Sequence, residues 1–348
     1  MNENELKKMI PPLLEWYEKQ RRPLPWRNDP SPYHVWLSEI MLQQTRIEAV
    51  IPYYERFLKE LPDIKSLAEA SDDKLMKLWE GLGYYSRARN LKKAAVDIME
   101  HHGGALPQTA EALRGLSGIG DYTAGAIASI CFGKPEPAVD GNVLRVLMRY
   151  LGKDDDIALQ ATKKALANDL RKVYPTGEDA KKLTQAIMEL GESVCIPNGE
   201  AKCSICPLAP LCTANQKDLK DILPVKSAKK PRKQEERTVF LLSCRGKYAI
   251  CKRPDKGLLA KLWEFPNTEG KLSEEAAFTY LQTKGLSPIQ ITPAVDSVHI
   301  FTHIEWHMTG YLAECLYPAE CFVWKSADEI LSDHAVPSAF RAYTAILR

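Results

Sequence analysis

Apolar positions repeat with a helical period through the first two-thirds of the chain. Apolar side chains fall three or four residues apart there, and no strand-like alternation occurs before about residue 237. Prolines and a glycine-rich run at 81–90 interrupt the period. The predicted helical segments include 4–20, 33–45, 143–150, 157–173 and 180–194, with several more between 47 and 102. This part of the chain is predicted to be all-helical.

The pattern changes near residue 237. Short runs of β-branched and aromatic residues follow, and they predict strands at 238–243, 248–251, 296–303, 304–311 and 322–324. Segments 274–284 and 337–347 return to a helical period. We therefore expect a multidomain protein: an all-α region over 1–218, a basic, proline-containing linker over 219–237, and an α+β domain over 238–348.

The composition of the chain restricts the number of domains and the class of protein, but it does not identify a function. A chain of 348 residues fits two domains. Its 47 basic and 45 acidic residues leave a net charge of only +2, so a nucleic-acid partner must be argued from local patches. The acidic N-terminus lacks the pattern of a signal peptide, and no apolar run reaches membrane-spanning length. We expect a cytosolic protein.

The stretch 116–125, LSGIGDYTAG, reads as a helix end, a tight glycine turn and a new helix. Gly118 and Gly120 can take positive φ without a Cβ clash. Such a turn aims backbone N–H groups at a helix N-terminus, which binds anions, and a nucleic-acid phosphate is the obvious one. About twenty residues later the run AVDGNV carries Asp140, which the following helix would bring beside the turn.

Glu39 is the only acid in the apolar helical segment 33–45. If it is buried, desolvation raises its pKa and lets it carry a proton near neutral pH. The alternative is a glutamate on an exposed helix face, and the helix alone leaves both open. The uncharged trio Gln43, Gln44 and Thr45 that follows suits contact with bases.

Two loops in the helical region carry both charge and aromatic rings. One is 21–27, with three arginines and Trp26, and the other is 81–90, with Tyr84 and Arg87. Each reads either as a contact with nucleic acid through charge and stacking or as an ordinary loop with its rings packed inward.

Four of the nine cysteines crowd into eighteen residues. They are Cys195, Cys203, Cys206 and Cys212. Thiols at this spacing suit a structural zinc ion or a 4Fe-4S cluster, and the single C-x-x-C pair favours the cluster somewhat. Their uneven placement argues against a disulfide framework and for a reducing compartment.

Taken together, these motifs resemble those of the helix-hairpin-helix DNA glycosylases, and within them the adenine DNA glycosylases of the MutY family. The motifs are LSEIMLQQT at 37–45, GLGYYSRARN at 81–90, the glycine turn within a hairpin at about 113–133, AVDGNV, and the cysteine loop at 195–212. Two C-terminal runs, GLLAKLWEFP and FTH, extend the resemblance over nearly the whole chain.

The resemblance implies an activity and a role for each motif. The enzyme would be a monofunctional base excision repair glycosylase that removes adenine opposite 8-oxoguanine or guanine in duplex DNA, acting as a monomer in a bacterial cytosol at the nucleoid. The implied catalytic residues are Glu39, Asp140, Tyr122 and Asn142, and the four cysteines would hold a 4Fe-4S cluster. DNA contacts would come from Gly118, Gly120, Gln43, Gln44, Thr45, Leu82, Tyr84 and Arg87. The adenine pocket would include Arg22, Trp26 and Gln185, and 8-oxoguanine would be recognised by Phe301, Thr302 and His303.

Several positions refine the implied function or depart from the family's usual pattern. Tyr122 stands where bifunctional relatives carry a Schiff-base lysine, which implies hydrolysis without a lyase step. The C-terminal part resembles a Nudix fold, but the run 273–278 offers too few acids to hold magnesium, so a recognition domain is expected. The first cysteine gap is seven residues instead of the usual six. Asp121 stands where a basic residue is common, and Thr302 replaces the usual serine.

Three other functions compete with this reading. A pyrimidine-directed glycosylase is disfavoured by Tyr122 and by the C-terminal domain. A DNA-binding redox protein with lapsed catalysis is disfavoured because both Glu39 and Asp140 are present. A nucleotide pyrophosphatase is disfavoured by the missing acids of the C-terminal domain.

Overall fold

A computed structural model describes residues 3–228 and 231–347 of the chain. Its internal contacts divide these residues into two compact units. The first contains the described residues of 1–69 and 89–228, and the second those of 70–88 and 229–348. The sequence pattern gave no sign that residues 70–88 group with the C-terminal residues. Lys229 and Lys230 of the expected linker lie outside the described residues.

Helices account for the regular structure up to residue 216. They are α1 (Glu3–Gln20), α2 (Pro25–Asn28), α3 (Pro32–Leu42), α4 (Ile47–Glu60), α5 (Ile64–Glu69), α6 (Asp72–Trp79), α7 (Ser86–His101), α8 (Ala110–Arg114), α9 (Asp121–Phe132), α10 (Gly141–Leu151), α11 (Gln160–Arg171), α12 (Glu178–Ser193) and α13 (Thr213–Gln216). Short 3₁₀ turns lie at Cys203–Ile205 and Ala209–Leu211. Side-chain oxygens cap several N-termini, with Ser31 on α3, Ser71 on α6, Thr109 on α8 and Asp140 on α10.

The main core of the first unit lies between α1, α10 and α12. Leu6, Met9 and Leu13 of α1 pack there against Leu147 of α10 and Leu183 of α12, and all five side chains are fully buried. Burial of aliphatic side chains contributes roughly 25 cal/mol per Å² of apolar surface, so this cluster fixes α10 and α12 firmly. These two helices carry much of the candidate site.

The second unit is built on a mixed sheet. Its strands are β1 (Lys233–Cys244), β2 (Lys247–Lys252), β3 (Trp263–Glu264), β4 (Asn267–Glu269), β5 (Pro288–Pro293), β6 (Ser297–Ile300), β7 (Ile304–Cys315) and β8 (Val323–Lys325). Its helices are α14 (Glu274–Thr283), α15 (Ala327–Asp333) and α16 (Arg341–Thr344), with 3₁₀ turns at Ser338–Phe340 and Ala345–Leu347.

The sheet is organised around two long central strands. Strand order is β3-β2-β1-β7-β5, with β4 beside β1, β6 beside β7 and β8 beside β2. β1 and β7 run parallel, and every other pair is antiparallel. Side chains alternate across β1, so Val239 and Leu241 enter one apolar cluster while Phe240 and Leu242 enter another on the opposite face. Both faces of the sheet are therefore covered.

Helix α6 is held by hydrogen bonds to C-terminal residues within the second unit. Lys77 Nζ donates to the carbonyl oxygens of Leu331 (2.5 Å) in the last turn of α15 and of His334 (3.2 Å) at its C-cap. The Val336 N–H donates to Glu80 Oε1 at 2.9 Å. The last carbonyls of a helix have no partner within that helix, and Lys77 of α6 supplies a donor for those at the end of α15. These bonds explain why 70–88 belongs to the second unit.

Three boundaries differ from the sequence-based expectation. β1 begins at Lys233, inside the expected linker, because backbone pairing with β7 starts at the Lys233–Ile304 pair and needs no apolar alternation. Residues 301–303 form the turn between β6 and β7 rather than strand, closed by a Phe301 N–H bond to the Ile304 carbonyl. The expected helix at 337–347 is broken into 3₁₀ and α turns. No helix in the described ranges combines the length and apolarity needed to cross a membrane.

Candidate active site

Glu39 is buried in α3 and hydrogen-bonded to α9. Only 7% of its surface is exposed, and the Tyr122 hydroxyl donates to its Oε2 at 2.6 Å. Burial raises the pKa of Glu39 to about 7, opposed by the Tyr122 bond and assisted by the negative charge of Asp140. The buried alternative of the sequence analysis is confirmed. A carboxyl with this pKa is divided between acid and carboxylate near neutral pH, so it can both give and take a proton.

Asp140 caps the N-terminus of α10, and its two carboxyl oxygens have separate partners. Oδ1 accepts from the Val143 N–H at 2.8 Å, and Oδ2 accepts from Asn142 Nδ2 at 2.9 Å. Burial raises the pKa of Asp140, and the Val143 bond opposes that rise. Because both oxygens accept protein hydrogen bonds, the carboxylate is held in one orientation.

A chain of hydrogen bonds continues from Asp140 to the cysteine loop. Arg145 Nη2 donates to Asn142 Oδ1 (2.8 Å) and to the Gly191 carbonyl (2.7 Å), and its Nε donates to the Cys195 carbonyl (2.8 Å). Since Arg145 occupies the Asn142 oxygen, the amide nitrogen of Asn142 is directed at Asp140. Gly191 is required here, because a Cβ at that position would lie 2.7 Å from Asn142 Cβ.

Asp140 shares a groove of about 1180 Å³ with the glycine turn. The groove is lined by Leu42, Gln43, Gln44, Arg114, Gly120, Asp121, Tyr122, Thr123, Glu136, Pro137, Val139, Asp140, Gly141, Gln160, Lys163, Lys164, Ala167, Asn168 and Arg171. The structure thus brings Gln43, Gln44, Tyr122 and Asp140 together. Gln43 Nε2 donates to Thr123 Oγ1 at 3.2 Å, whereas Gln44 is exposed with a positive φ of 60°. A non-glycine residue in that conformation costs of order 1 kcal/mol, which is typical of functional positions.

The turn before α9 has a left-handed backbone conformation at Gly118 but not at Gly120. Gly118 has φ of 79°, and a Cβ there would meet Asn90 Cβ at 2.7 Å. Gly120 instead has φ of −91° at the N-cap of α9, with nothing within 4 Å of an added Cβ. Of the two glycines that can take positive φ, only Gly118 does so in this turn. The position of Gly120 before the first N–H groups of α9 still leaves them open to an anion.

A second cavity, of about 190 Å³, opens on Glu39. Trp26 and Gln185 line it, as expected for the adenine pocket, and Met188 and Glu189 of α12 also contribute. Trp26 is buried and meets Tyr54 edge-on at 5.3 Å between ring centroids, so the inward reading of the 21–27 loop is correct for this ring. Leu42 lines both this cavity and the groove, which makes them neighbours.

Arg22 does not line the Glu39 cavity. It forms ion pairs with Glu189 and, at 2.7 Å, with Glu192. Arg27 reaches the same buried carboxylate, with Nη2 2.7 Å from Glu189 Oε2. Glu189 could not be singled out from the sequence, because its partners lie more than 160 residues earlier in the chain. Within α12 it is only one of several acids. The arginine loop is thus fixed to α12 by one carboxylate.

Replacing Glu189 by glutamine is expected to destabilise the protein by about 3 kcal/mol, because it leaves two arginines without their buried partner. Glu192→Gln is the matched control, since that carboxylate is about one-third exposed and, among the described residues, pairs only with Arg22; its loss should cost less than about 1 kcal/mol. The free energy of unfolding in urea measures both. Equal losses in the two variants would contradict the central role given to Glu189.

The four clustered cysteines line one apolar cavity below the C-terminal end of α12. Cys212 Sγ lies 3.5 Å from the Arg149 carbonyl, and Arg149 Nη1 lies 3.4 Å from Cys195 Sγ. Within the described part of the chain, no group of three or more Cys, His, Asp or Glu side chains is placed to hold a single metal ion. The four thiols nevertheless line the same cavity.

Within the second unit, the predicted DNA contacts of the 81–90 loop differ in exposure. Tyr84 is 45% exposed with a positive φ of 47°, and its hydroxyl lies 3.0 Å from Thr302 Oγ1. Leu82 and Arg87 are buried, and Arg87 donates to the carbonyls of Leu82 and Gly83. Both side chains are thus withdrawn from solvent in this conformation, and Arg87 stabilises the loop through its bonds to these carbonyls. Their contact with DNA stays a prediction.

The 301–303 turn presents two of its three predicted residues. Thr302 and His303 are exposed, whereas Phe301 is half-buried and packs edge-on against Trp306 at 4.9 Å between ring centroids. Arg232 Nε holds the Phe301 carbonyl at 3.1 Å. Phe301 thus fixes the turn, while Thr302 and His303 are exposed and the Thr302 hydroxyl bonds to Tyr84.

Comparison with known proteins identifies the class. Residues 37–176 match the model of the HhH-GPD superfamily of base excision DNA repair proteins, and residues 238–345 match that of the NUDIX domain. The helical fold is similar to a solved thermostable thymine-DNA glycosylase, with 27% identity and a TM-score of 0.55 over 62% of this chain and 98% of that one. The chain is therefore a helix-hairpin-helix DNA glycosylase with a Nudix-like domain.

Curated relatives narrow the class to one family. The chain is 35% identical to the adenine DNA glycosylase of Mus musculus, over 84% of this chain and 68% of that protein. It is 34% identical to the adenine DNA glycosylase of Buchnera aphidicola, over 89% of this chain and 87% of that protein. The chain belongs to the adenine DNA glycosylase family.

Proposed function

We propose that this chain is a monofunctional glycosylase that hydrolyses the N-glycosidic bond of adenine mispaired with 8-oxoguanine or guanine in duplex DNA. The observation that carries the proposal is the pair of carboxyl groups: Glu39 with a pKa near 7, and Asp140 fixed at a helix N-terminus in the neighbouring groove. All proposed groups come from one chain, so the enzyme would act as a monomer. The cytosol is its proposed location.

The target adenine must leave the base stack before any protein group can reach its glycosidic bond, at a cost of a few kcal/mol. Backbone N–H groups at the start of α9, after Gly118 and Gly120, would hold a phosphate of the bent strand. Gln44 and Tyr84 are exposed at positive φ, and they would fill the gap or wedge the stack. Gln43 and Thr45 would contact neighbouring bases. The flipped adenine would enter the cavity lined by Trp26, Gln185 and Glu39.

The chemistry follows from the different partners of the two carboxyl groups: Glu39 is buried beside a phenol, and Asp140 accepts two hydrogen bonds. Glu39 in its acid form would protonate adenine N7, which turns a poor leaving group into a good one. As the bond breaks, positive charge develops on the sugar, and the Asp140 carboxylate would stabilise that cation. Glu39, now anionic, would take a proton from the water that attacks the sugar carbon. Free adenine and an abasic site are the products.

Tyr122 and Asn142 would act as positioning residues. The Tyr122 hydroxyl bonds to Glu39, and the Asn142 amide bonds to Asp140, so each carboxyl has one neutral donor that orients it. A phenol cannot form a Schiff base with the abasic sugar, which supports hydrolysis without strand cleavage by the enzyme.

We propose that Cys195, Cys203, Cys206 and Cys212 hold a 4Fe-4S cluster. All four thiols line one apolar cavity, and four cysteine thiolates are the usual ligand set of such a cluster. A bound cluster would supply covalent ties that fix the 195–212 loop to the end of α12. The Arg145 bond to the Cys195 carbonyl then gives that loop a direct connection to the orientation of Asp140.

We propose that the 238–348 domain recognises 8-oxoguanine through Thr302, with Phe301 and His303 beside it. Thr302→Ala is expected to reduce the preference for 8-oxoguanine over guanine opposite adenine by about tenfold, since one hydrogen bond is worth about 1–1.5 kcal/mol. Thr302→Ser is the matched control and should retain the preference, because it keeps the hydroxyl. Single-turnover rates on both duplexes measure it, and unchanged discrimination in the alanine variant would remove Thr302 from the proposal.

A glycosylase assay tests the whole function. Duplexes carrying adenine opposite 8-oxoguanine, adenine opposite guanine, and thymine opposite guanine are incubated with the full chain, with and without hot alkali. We expect strand breaks on the two adenine duplexes only after alkali, because the enzyme leaves an intact abasic site. Breaks without alkali would contradict a monofunctional enzyme, and cleavage only of the thymine duplex would contradict adenine specificity. An absorption band near 400 nm tests the cluster separately.

A further inference from the structure

Helix α11 presents a polar stripe to the groove that contains Asp140. The stripe consists of Gln160, Lys163, Lys164, Ala167, Asn168 and Arg171. These residues occupy positions i, i+3, i+4, i+7, i+8 and i+11, so they share one side of the helix. The apolar side chains Leu166 and Leu170 are buried in the core instead. None of the motifs discussed so far uses this stripe.

The stripe carries cations and no acid. Lys163 is partly exposed and Lys164 is exposed, and neither side chain has a hydrogen bond or ion pair to any described residue. Asp169, the one acid of α11, lies off the stripe and pairs with Lys172 at 3.2 Å. The other cations of the groove are already neutralised in part, Arg171 by Glu136 at 3.1 Å and Arg114 by Asp121 at 3.8 Å. The two lysines are thus the uncompensated charges of this wall.

We infer that Lys163 and Lys164 form a second phosphate-binding wall, which holds the backbone of the strand that carries the target adenine. The inference rests on the proposed function. Because Asp140 would face the sugar of the flipped nucleotide, phosphates in the same groove belong to that nucleotide's own strand. The open N–H groups at the start of α9 line the same groove and would hold one phosphate, and the lysines would hold others along the same backbone.

A nucleic-acid backbone fits this wall better than an acidic protein segment does. The groove is more than 1000 Å³ in volume, and thirteen of its nineteen lining residues are polar or charged: four cations, three acids and six neutral side chains. Protein interfaces place apolar side chains at their centre, whereas backbone recognition relies on cations and polar donors. Lysines without internal partners also release counterions on binding a phosphate backbone, which makes the contribution measurable through salt dependence.

The test is the salt dependence of DNA binding by the full chain carrying Lys163→Gln and Lys164→Gln together. The probe is a fluorescent duplex with 8-oxoguanine opposite 2′-fluoro-2′-deoxyadenosine, which resists cleavage. Loss of two phosphate contacts should lower the slope of log K against log salt by about 1.8, and weaken binding at about 100 mM KCl by tenfold or more. Lys7→Gln with Lys8→Gln is the matched control, because it removes an exposed lysine pair of α1 that does not line the groove.

A second arm identifies the strand. Replacing single phosphates beside the target nucleotide by neutral methylphosphonates should weaken binding of the wild type, and have little further effect on the double-lysine variant. An unchanged slope in a variant with wild-type thermal stability overturns the inference, and so does an equal drop in the Lys7 and Lys8 control. Sensitivity confined to phosphates of the 8-oxoguanine strand also overturns it. If the wild type neither prefers the mispair nor releases adenine, the proposed function itself fails, whatever the slope.

Discussion

Glu39→Gln is expected to lower the single-turnover rate of adenine release by 10²–10⁴-fold, because an amide cannot protonate the leaving base. In the wild type, the rate should fall about tenfold per pH unit above pH 7, as the Glu39 acid ionises. The glutamine variant should lack this fall, since no group of pKa near 7 remains at that position. Rates of base release between pH 5.5 and 9 measure both effects.

The same substitution provides its own structural control. The folded pKa of Glu39 is about 7 and its ordinary value is 4.5, so the native state binds more protons than the unfolded state between these values. Stability is therefore lost as pH rises from about 4.5 to 7, and above 7 the whole cost of a buried charge remains. Glutamine removes that cost.

Glu39→Gln should accordingly be more stable than the wild type by on the order of 2–3 kcal/mol at pH 8, with little difference at pH 4.5. Urea unfolding at the two pH values checks this. A variant that loses activity and is also destabilised at pH 8 has been damaged in its fold, and its lost activity would then say nothing about proton transfer.

The helices could be predicted because their signals are local: the helical period alone marks segments such as α3 as apolar. The same period left the burial and the exposure of Glu39 both open, and the contact of α3 with Tyr122 of α9 decided for burial. The cap role of Asp140 is also local, because an aspartate before Gly141-Asn142-Val143 can reach the Val143 N–H without any tertiary contact. The resemblance to a family then assigned roles to positions that were already distinctive.

Other features depend on pairings that no local pattern records. Glu189 joins Arg22 and Arg27 across more than 160 residues, and Arg145 reaches the Cys195 carbonyl across 50. β1 begins with charged residues, and only its partner β7 reveals the true start of the strand. Leu82 sits in a glycine-rich loop that looks exposed in the sequence, yet the apolar side chain is buried. Each of these features is determined by tertiary contacts.

Asp140→Asn is expected to reduce the rate of adenine release by at least 10³-fold while the affinity for mispaired duplex changes by less than about threefold. The loss follows from removing the one carboxylate beside the cationic sugar, in a site where a fixed charge acts at low dielectric. The fold should survive, since asparagine is as good an N-cap as aspartate and can still accept from the Val143 N–H. Single-turnover kinetics, anisotropy with a non-cleavable duplex, and thermal unfolding measure the three quantities.

Asp121→Asn is the matched control for charge. Asp121 lines the same groove and begins α9, but its side chain is two-thirds exposed and only weakly paired with Arg114. Removing that charge should leave the rate of base release within about threefold and strengthen binding, because one anion near the proposed phosphate site is lost. If Asp121→Asn slowed base release as much as Asp140→Asn does, the effect would reflect the general field of the groove. If Asp140→Asn retained wild-type turnover, the sugar cation would not depend on this carboxylate, and the two-carboxyl mechanism would have to be abandoned.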